Sequence, residues 1–415
     1  MARMQRRDFL SLGALAAGGF ITSRVAFGAP GGQQKRLVVV IMRGALDGLA
    51  VVPPYADPDY AQLRRELALR APGAPGGALP LNGFFGLHPA LAFMQQCYGA
   101  RELIVLHAVA TSYRERSHFD GQDVLESGSV RPHASQSGWL NRALAQLPAR
   151  GSGELGVALG QNVPLVMRGP AGVGSWTPSK MPAPEEDTLA RITDLYAHDP
   201  LLSVRLADAL QADAIAAADA AAMPDAMTAA ASAATDPKPA RAYGMRYAEI
   251  TRAAAGFLRQ EDGPKVAVFD TTGWDTHANE GGAEGQLGGR LAALDAGLAT
   301  LRQELGTAWA HTAVLLVTEF GRTAAVNGTR GTDHGTGAAA FLLGGAVAGG
   351  RVVADWPGLA ARALYQQRDL APTLDLRCVF KGILEEHLGV PARALEESVF
   401  PESAAARPLR GLVRS

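Results

Sequence analysis

An α/β fold built on a parallel sheet is what this 415-residue sequence predicts, and three patterns carry the prediction. Short apolar runs with β-branched residues recur along the chain, helical periodicities separate them, and polar, glycine-containing segments follow them. Apolarity without alternation marks strands covered on both faces, as in parallel sheets. Strands that alternate with helices belong to the α/β class.

Five runs read as strands: Leu37–Met42, Leu103–Ala108, Val266–Phe269, Ala313–Thr318 and Ala340–Leu343. Between them the clearest helix carries Leu287, Leu291, Leu294, Leu298, Leu301 and Leu305, spaced by threes and fours so that one face lies on the sheet. Near the end Leu376, Val379, Phe380, Ile383, Leu384 and Leu388 repeat the pattern, with Pro372-Thr373 as a start signal and Gly389 as a stop. The stretch from about 150 to 262 differs, being Ala-rich with Ala-Asp patterns. It reads as a helical insertion that packs thinly, because alanine favours helix but supplies little core volume.

The chain opens with Gln5-Arg6-Arg7-Asp8-Phe9-Leu10 and an apolar run to Ile21. A charged start feeding a run too short for the ~20 residues of a membrane span is an export signal, not an anchor. Small residues at Ala26 and Gly28 predict cleavage after Gly28. The expected products are a signal peptide, 1–28, of the twin-arginine type and a single domain, 29–415, delivered to the periplasm or beyond. The expected partners are the twin-arginine translocase and a signal peptidase, with no stable membrane anchor after cleavage. A net charge of −1 and 19% charged residues exclude the footprint of a nucleic-acid or anionic-lipid binder. Two cysteines, Cys97 and Cys378, make no disulfide framework, which suits folding in a reducing compartment before export.

In parallel sheets ligands gather beyond the carboxyl ends of strands, so the segments after each run are where chemistry is expected. They carry Asp47 after the first run, Arg116-Ser117-His118 and Asp120 after the second, Asp275 and His277 after the third, and Glu319, Arg322, Asp333 and His334 after the fourth. Asp275/His277 and His118/Asp120 are two apart and point the same way on an extended segment; Asp333-His334 is adjacent in a glycine loop. Each pair alone is more ordinarily a capping or supporting hydrogen bond. Their collection on one rim points instead to a functional site. Imidazole with carboxylate suits a borderline divalent cation, and the arginines suit an oxygen-rich anionic substrate. His88 reads as a cap for the helix that follows, and His198, His311 and His387 as surface or helix-end residues. Gly344–Gly350 lacks the spacing of a phosphate loop and reads as a tight turn. With no Gly-x-Ser-x-Gly elbow, an α/β-hydrolase serine enzyme is disfavoured.

Six blocks carry a family resemblance: Val38–Gly48, Ser117–Asp120, Gly273–His277, Thr318–Thr323, Gly331–Gly335 and Arg368–Leu370. Together they resemble the bacterial domain-of-unknown-function 1501 family, which is similar in fold to the alkaline phosphatase and sulfatase superfamily. The resemblance implies an alkaline-phosphatase-like three-layer sandwich with a mostly parallel central sheet, metal ions (zinc, manganese or calcium), and a small phosphate or sulfate ester as substrate. It implies ligands from Asp275, His277, Asp333 and His334, with Asp47 as a first-strand aspartate; the strand-end reading adds His118, Asp120 and Glu319 as further metal-ligand candidates. The nucleophile is the weak point: the sulfatase Cys-x-Pro-x-Arg signature is absent, leaving Ser117 or Ser112 as the nearby hydroxyls, with Arg116 or Arg322 to clamp the oxyanion. The alternative expectation is a non-catalytic exported scaffold or binding protein that keeps the fold.

Overall fold

A computed structural model describes residues 34–148, 154–178, 186–196, 199–220 and 237–414. Arg6, Arg7, the cleavage point after Gly28 and His198 lie outside the described residues. The strands, in chain order, are β1 (Arg36–Arg43), β2 (Leu79–Pro80), β3 (Gly86–Leu87), β4 (Leu103–Ala110), β5 (Gly156–Leu159) and β6 (Val173–Trp176), then β7 (Val266–Thr272), β8 (Thr312–Val317), β9 (Ala338–Leu343), β10 (Arg351–Val353) and β11 (Leu374–Asp375). All but the β2-β3 hairpin join one sheet in the order β10-β4-β9-β8-β1-β7-β5-β6, with β11 added against β4. Every pairing in it is parallel except those of β9, which runs antiparallel to β4 and β8.

Two separate cores show why the middle strands are apolar throughout. Val38, Val40 and Met42 of β1 face one core, with the helices Ala92–Gly99, Pro237–Arg259 and Gln286–Leu305. Leu37, Val39 and Ile41 face the other, with Trp139–Leu144 and Leu376–Ile383. Each fully buried aliphatic side chain contributes about 1.5–3 kcal/mol, so both faces of β1 hold the sandwich together. The result is a three-layer α/β sandwich on a mostly parallel sheet.

The segment expected to be a thin helical insertion is divided differently. Its first part supplies β5 and β6 to the central sheet. Its last helix, Pro237–Arg259, buries Tyr247, Ile250, Ala254 and Leu258 in the first core, so the helical part is well anchored at that end. The C-terminal helix starts on an Asp375 cap, whose carboxylate accepts from the Arg377 amide, and stops at Gly389 with φ of 76°. His387, expected as a surface or helix-end residue, lies in the last turn of its helix but is buried and bonds the Arg36 carbonyl at 2.8 Å. Both cysteines are free. No helix among the described residues is long and apolar enough to cross a membrane.

Candidate metal centre

The sheet brings four segments to one edge. β1, β4, β7 and β8 run parallel and end there, whereas the antiparallel β9 begins there, so the loop that precedes β9 meets the loops that follow the others. After β7 the chain continues extended from Gly273. Trp274 is fully buried and donates to Thr271 Oγ1 at 2.9 Å, which anchors the segment. Alternation then turns Thr276 inward and puts Asp275 and His277 on the open side, His277 Nε2 lying 3.0 Å from Asp275 Oδ1. Gly331 must be glycine for the β9 loop to come this close: a Cβ there would sit 2.4 Å from the His277 carbonyl.

His334, on that loop, completes a triangle: its Nε2 is 3.2 Å from Asp275 Oδ1 and 3.0 Å from His277 Nε2. His118 enters from the first turn of the helix His118–Ser127, its ring stacked on Phe320 and its Nε2 3.5 Å from Asp275 Oδ2. Donor atoms of His118, Asp275 and His334 all lie within 4.8 Å of one another.

What sits around each imidazole decides its tautomer. His118 Nδ1 is 2.8 Å from Glu319 Oε1, His277 Nδ1 is 3.1 Å from Asp333 Oδ1, and His334 Nδ1 is 3.1 Å from the Arg116 backbone carbonyl. Carboxylates and carbonyls only accept, so a ring nitrogen bonded to one donates. Asp275 Oδ1 makes the competing offer to the Nε2 atoms of His277 and His334, at 3.0 and 3.2 Å, and a neutral ring can donate to only one of its two acceptors. The Nε2 atoms of His118 and His334 thus gather with the Asp275 carboxylate, and His277 Nε2 touches that carboxylate and His334. His118 Nε2 is buried with no hydrogen-bond partner among the described residues.

The electrostatics follow these contacts. The Glu319 hydrogen bond raises the His118 pKa above the ordinary histidine value. Burial, with the charge of His118, lowers that of His334. Burial alone raises the Asp275 pKa, but Arg322 Nη1 at 2.7 Å outweighs it and holds the carboxyl below its usual range. A hydrogen bond from Asn327, 3.0 Å from Asp333 Oδ1, does the same for Asp333.

Other nominated residues are placed elsewhere. Asp120 follows His118 on a helix, where two residues span more than half a turn; it turns away to Tyr113 and to His133 at 3.1 Å. Glu319 is fully buried, and its Oε1 is occupied by His118, the Gly44 amide at 2.8 Å and Gln122 at 3.2 Å. It supports a ring and is not free to be a ligand. Asp47 is also buried: it caps the helix Gly48–Val51 through the Leu49 and Ala50 amides and pairs with Arg64. Arg64 in turn lies 3.7 Å from Glu280 Oε1, and Thr276 and Thr332 donate to Glu280 Oε2 at 3.0 and 2.8 Å. This ionic cluster, behind the rim, was not seen in the sequence, because neither Arg64 nor Glu280 adjoins a strand. Arg322 is fully buried and committed to Asp275. The Arg116 guanidinium pairs with Asp369, and only its backbone oxygen touches the cluster. Ser117 is the residue before the helix, its amide 3.2 Å from the Tyr113 hydroxyl.

A mostly parallel three-layer sandwich with histidines and carboxylates gathered at its strand ends defines an α/β protein with a candidate metal centre. The chain belongs to the family described as "Protein of unknown function (DUF1501)", whose model matches residues 105–399. No curated protein matches it in sequence. Among solved structures it is similar to Ps i-CgsB in complex with k-i-k-neocarrahexaose, at 9% identity and a TM-score of 0.38, over 90% of this chain and 77% of that one. It is also similar to the phosphonate monoester hydrolase of Agrobacterium radiobacter, at 11% identity and a TM-score of 0.29, over 77% of this chain and 70% of that one. At so low an identity neither transfers a residue role to this chain.

Proposed function

We propose that this chain is an exported, metal-dependent hydrolase of small anionic esters, phosphate or sulfate, with one divalent cation held by the Nε2 atoms of His118, His277 and His334 and by the Asp275 carboxylate. The observation that carries the reading is the shared orientation of the three rings: each Nδ1 faces an oxygen acceptor, and each Nε2 turns to the same carboxylate. Histidine ligands of metals are held this way, with the other ring nitrogen tied to an oxygen. Without a cation, the 3.0 Å approach of the His277 and His334 Nε2 atoms needs a proton on one of them. Donor separations of 3.0 and 3.2 Å come near the about 3.4 Å edge of a tetrahedral site with ~2.1 Å bonds. Three imidazoles and a carboxylate suit zinc, manganese or iron, and disfavour calcium, which takes oxygen ligands.

A divalent cation held by these residues would supply Lewis acidity toward an ester oxygen and positive charge toward an anionic substrate. The chain's own residues do the rest. Arg322 keeps Asp275 ionised and oriented; Glu319, Asp333 and the Arg116 carbonyl keep the rings turned inward. Asp275, His277 and Asp333 remain about half exposed, which leaves that side open to a substrate. Among the described residues, no hydrogen bond of the five cluster side chains goes to a hydroxyl, which favours water over Ser117 as nucleophile. The same observation favours a second reading, an exported protein that binds metal or an anion without turnover.

Protein purified without chelator is expected to carry near-stoichiometric zinc, manganese or iron and to hydrolyse p-nitrophenyl phosphate, its diester or p-nitrophenyl sulfate in a chelator-sensitive way. Metal without turnover on any of the three supports the binding protein. No metal, with a Tm indifferent to chelator, overturns the hydrolase and leaves only the anion-binding form of the second reading. Export is tested separately: Arg6→Lys with Arg7→Lys should leave precursor in the cytoplasm, and an unchanged periplasmic yield refutes it.

A further inference from the structure

We infer that Asp369 and Arg116 form a strap that sets the tautomer of His334, which makes Asp369 a positioning residue of the centre. The inference rests on the metal reading above for its consequence, but not for its geometry. Arg116 has φ of +63°, a left-handed conformation that a residue with a Cβ adopts at a cost of about 1–2 kcal/mol. That conformation is what presents the Arg116 carbonyl to His334 Nδ1 at 3.1 Å. Something must hold it, and the side chain does. Nε and Nη2 of Arg116 both lie 2.8 Å from Asp369 Oδ2, and Nη2 also donates to Gln366 at 2.6 Å.

Asp369 is placed to act as an anchor. Its side chain is fully buried, and its backbone pairs with Tyr365 across a tight turn whose central residues, Gln366 and Gln367, have φ of 52° and 56°. Two consecutive positive φ values make a mirror-image turn, Tyr365 to Arg368, inside the three-residue loop that the Tyr365–Asp369 pair closes. A bridge from Asp369 to Thr323 ties this hairpin to the segment that carries Arg322. The path is therefore continuous: fixed hairpin, buried carboxylate, doubly bonded guanidinium, left-handed backbone, carbonyl, ring. It gives the Arg368-Asp369-Leu370 block a task that the cluster itself does not show.

The experiment uses the full chain, with Asp369→Asn and Arg116→Gly. Glycine suits the positive φ and removes the guanidinium at a partly exposed position, so it keeps the fold where Asp369→Asn fails to. Two readouts are taken: the His334 tautomer from ring nitrogen shifts in metal-free, histidine-labelled protein, and zinc affinity by competition with a chromophoric chelator. Wild type is expected in the Nδ1–H form; the variants should populate Nε2–H and bind zinc 10–100-fold more weakly. An unchanged tautomer in folded Arg116→Gly overturns the strap, even where zinc affinity falls. Wild type without zinc affinity, but with a tautomer that shifts in the variants, refutes the metal reading and keeps the strap.

Discussion

Three histidines at the rim and three in the core use the same ring in opposite ways. In the core, His88 Nε2 bonds the Gly282 carbonyl at 2.9 Å while its Nδ1 accepts from the Ala90 amide at 3.1 Å. His107 Nε2 bonds the Val52 carbonyl at 3.0 Å, and its Nδ1 accepts from Ala108 at 2.8 Å. His387 bonds the Arg36 carbonyl. Backbone atoms answer these rings, and burial pushes all three to pKa values of about 4, so they are neutral struts. At the rim the Nδ1 of each of His118, His277 and His334 meets an oxygen acceptor, and each Nε2 turns not to backbone but to the shared Asp275 carboxylate. The difference teaches that the partner of Nε2, a backbone carbonyl in the core and a shared carboxylate at the rim, separates a structural histidine from a chemical one.

The comparison breaks most visibly if a rim histidine proves structural. His277→Ala and His334→Ala are expected to lose bound metal, with an affinity drop well above the about 100-fold that loss of an outer partner costs. Their chelated forms should melt close to chelated wild type, because both rings are partly exposed. Elemental analysis and calorimetry check this; full metal content in either variant would remove that residue from the centre.

His107→Ala is the converse. The ring stacks on Phe85 at 5.3 Å and meets Trp356 at 5.1 Å, and it supports a bulge where Ala108 has φ of 54° and the β4-β9 register shifts. Its loss opens a cavity and strands a buried carbonyl and amide, at a cost of about 3 kcal/mol or more. Denaturant melts should show that loss while the folded fraction keeps its metal. A loss of metal with stability intact would reverse the division of labour.

Much of this division could be read from the sequence, and the failures have physical causes. Five of the strands announced themselves as apolar runs because both their faces are covered. β5, β6, β10 and β11 did not, having two to four residues at the sheet's flanks. The Asp275/His277 spacing acts as on a strand because the segment is extended, whereas His118/Asp120 does not, because the helix starts at His118. Asp47 is drawn inward by Arg64, a partner 17 positions on whose burial no local pattern reveals. His387 ends its helix, in a π turn over Leu384–Leu388, yet is buried against the Arg36 carbonyl of β1, a partner 351 positions away that no local pattern reveals.

The smallest expected effect tests the core histidines by pH. A group whose folded pKa lies below its unfolded value stabilises the fold above the unfolded pKa, and that contribution is lost as pH falls through the folded one. For His387 the window runs from the ordinary 6.5 down to about 4. Between pH 7 and pH 5 one such ring removes about 2 kcal/mol of stability. Bulk acid titration would blur this, because burial pushes Asp295 up to about 6 and raises Glu280 too, and those acids favour the fold as pH falls. A difference measurement isolates the ring. His387→Gln keeps an N–H for the Arg36 carbonyl and cannot charge, while Asp295 and Glu280 are common to both proteins. The variant is expected to be somewhat less stable than wild type at pH 7 and to match or exceed it at pH 5, in urea melts at the two values. A stability gap that stays constant across that range would mean that His387 titrates alike in the folded and unfolded chain. Its burial would then not be what keeps it neutral, and the line between core and rim histidines would have to be drawn on hydrogen bonding alone.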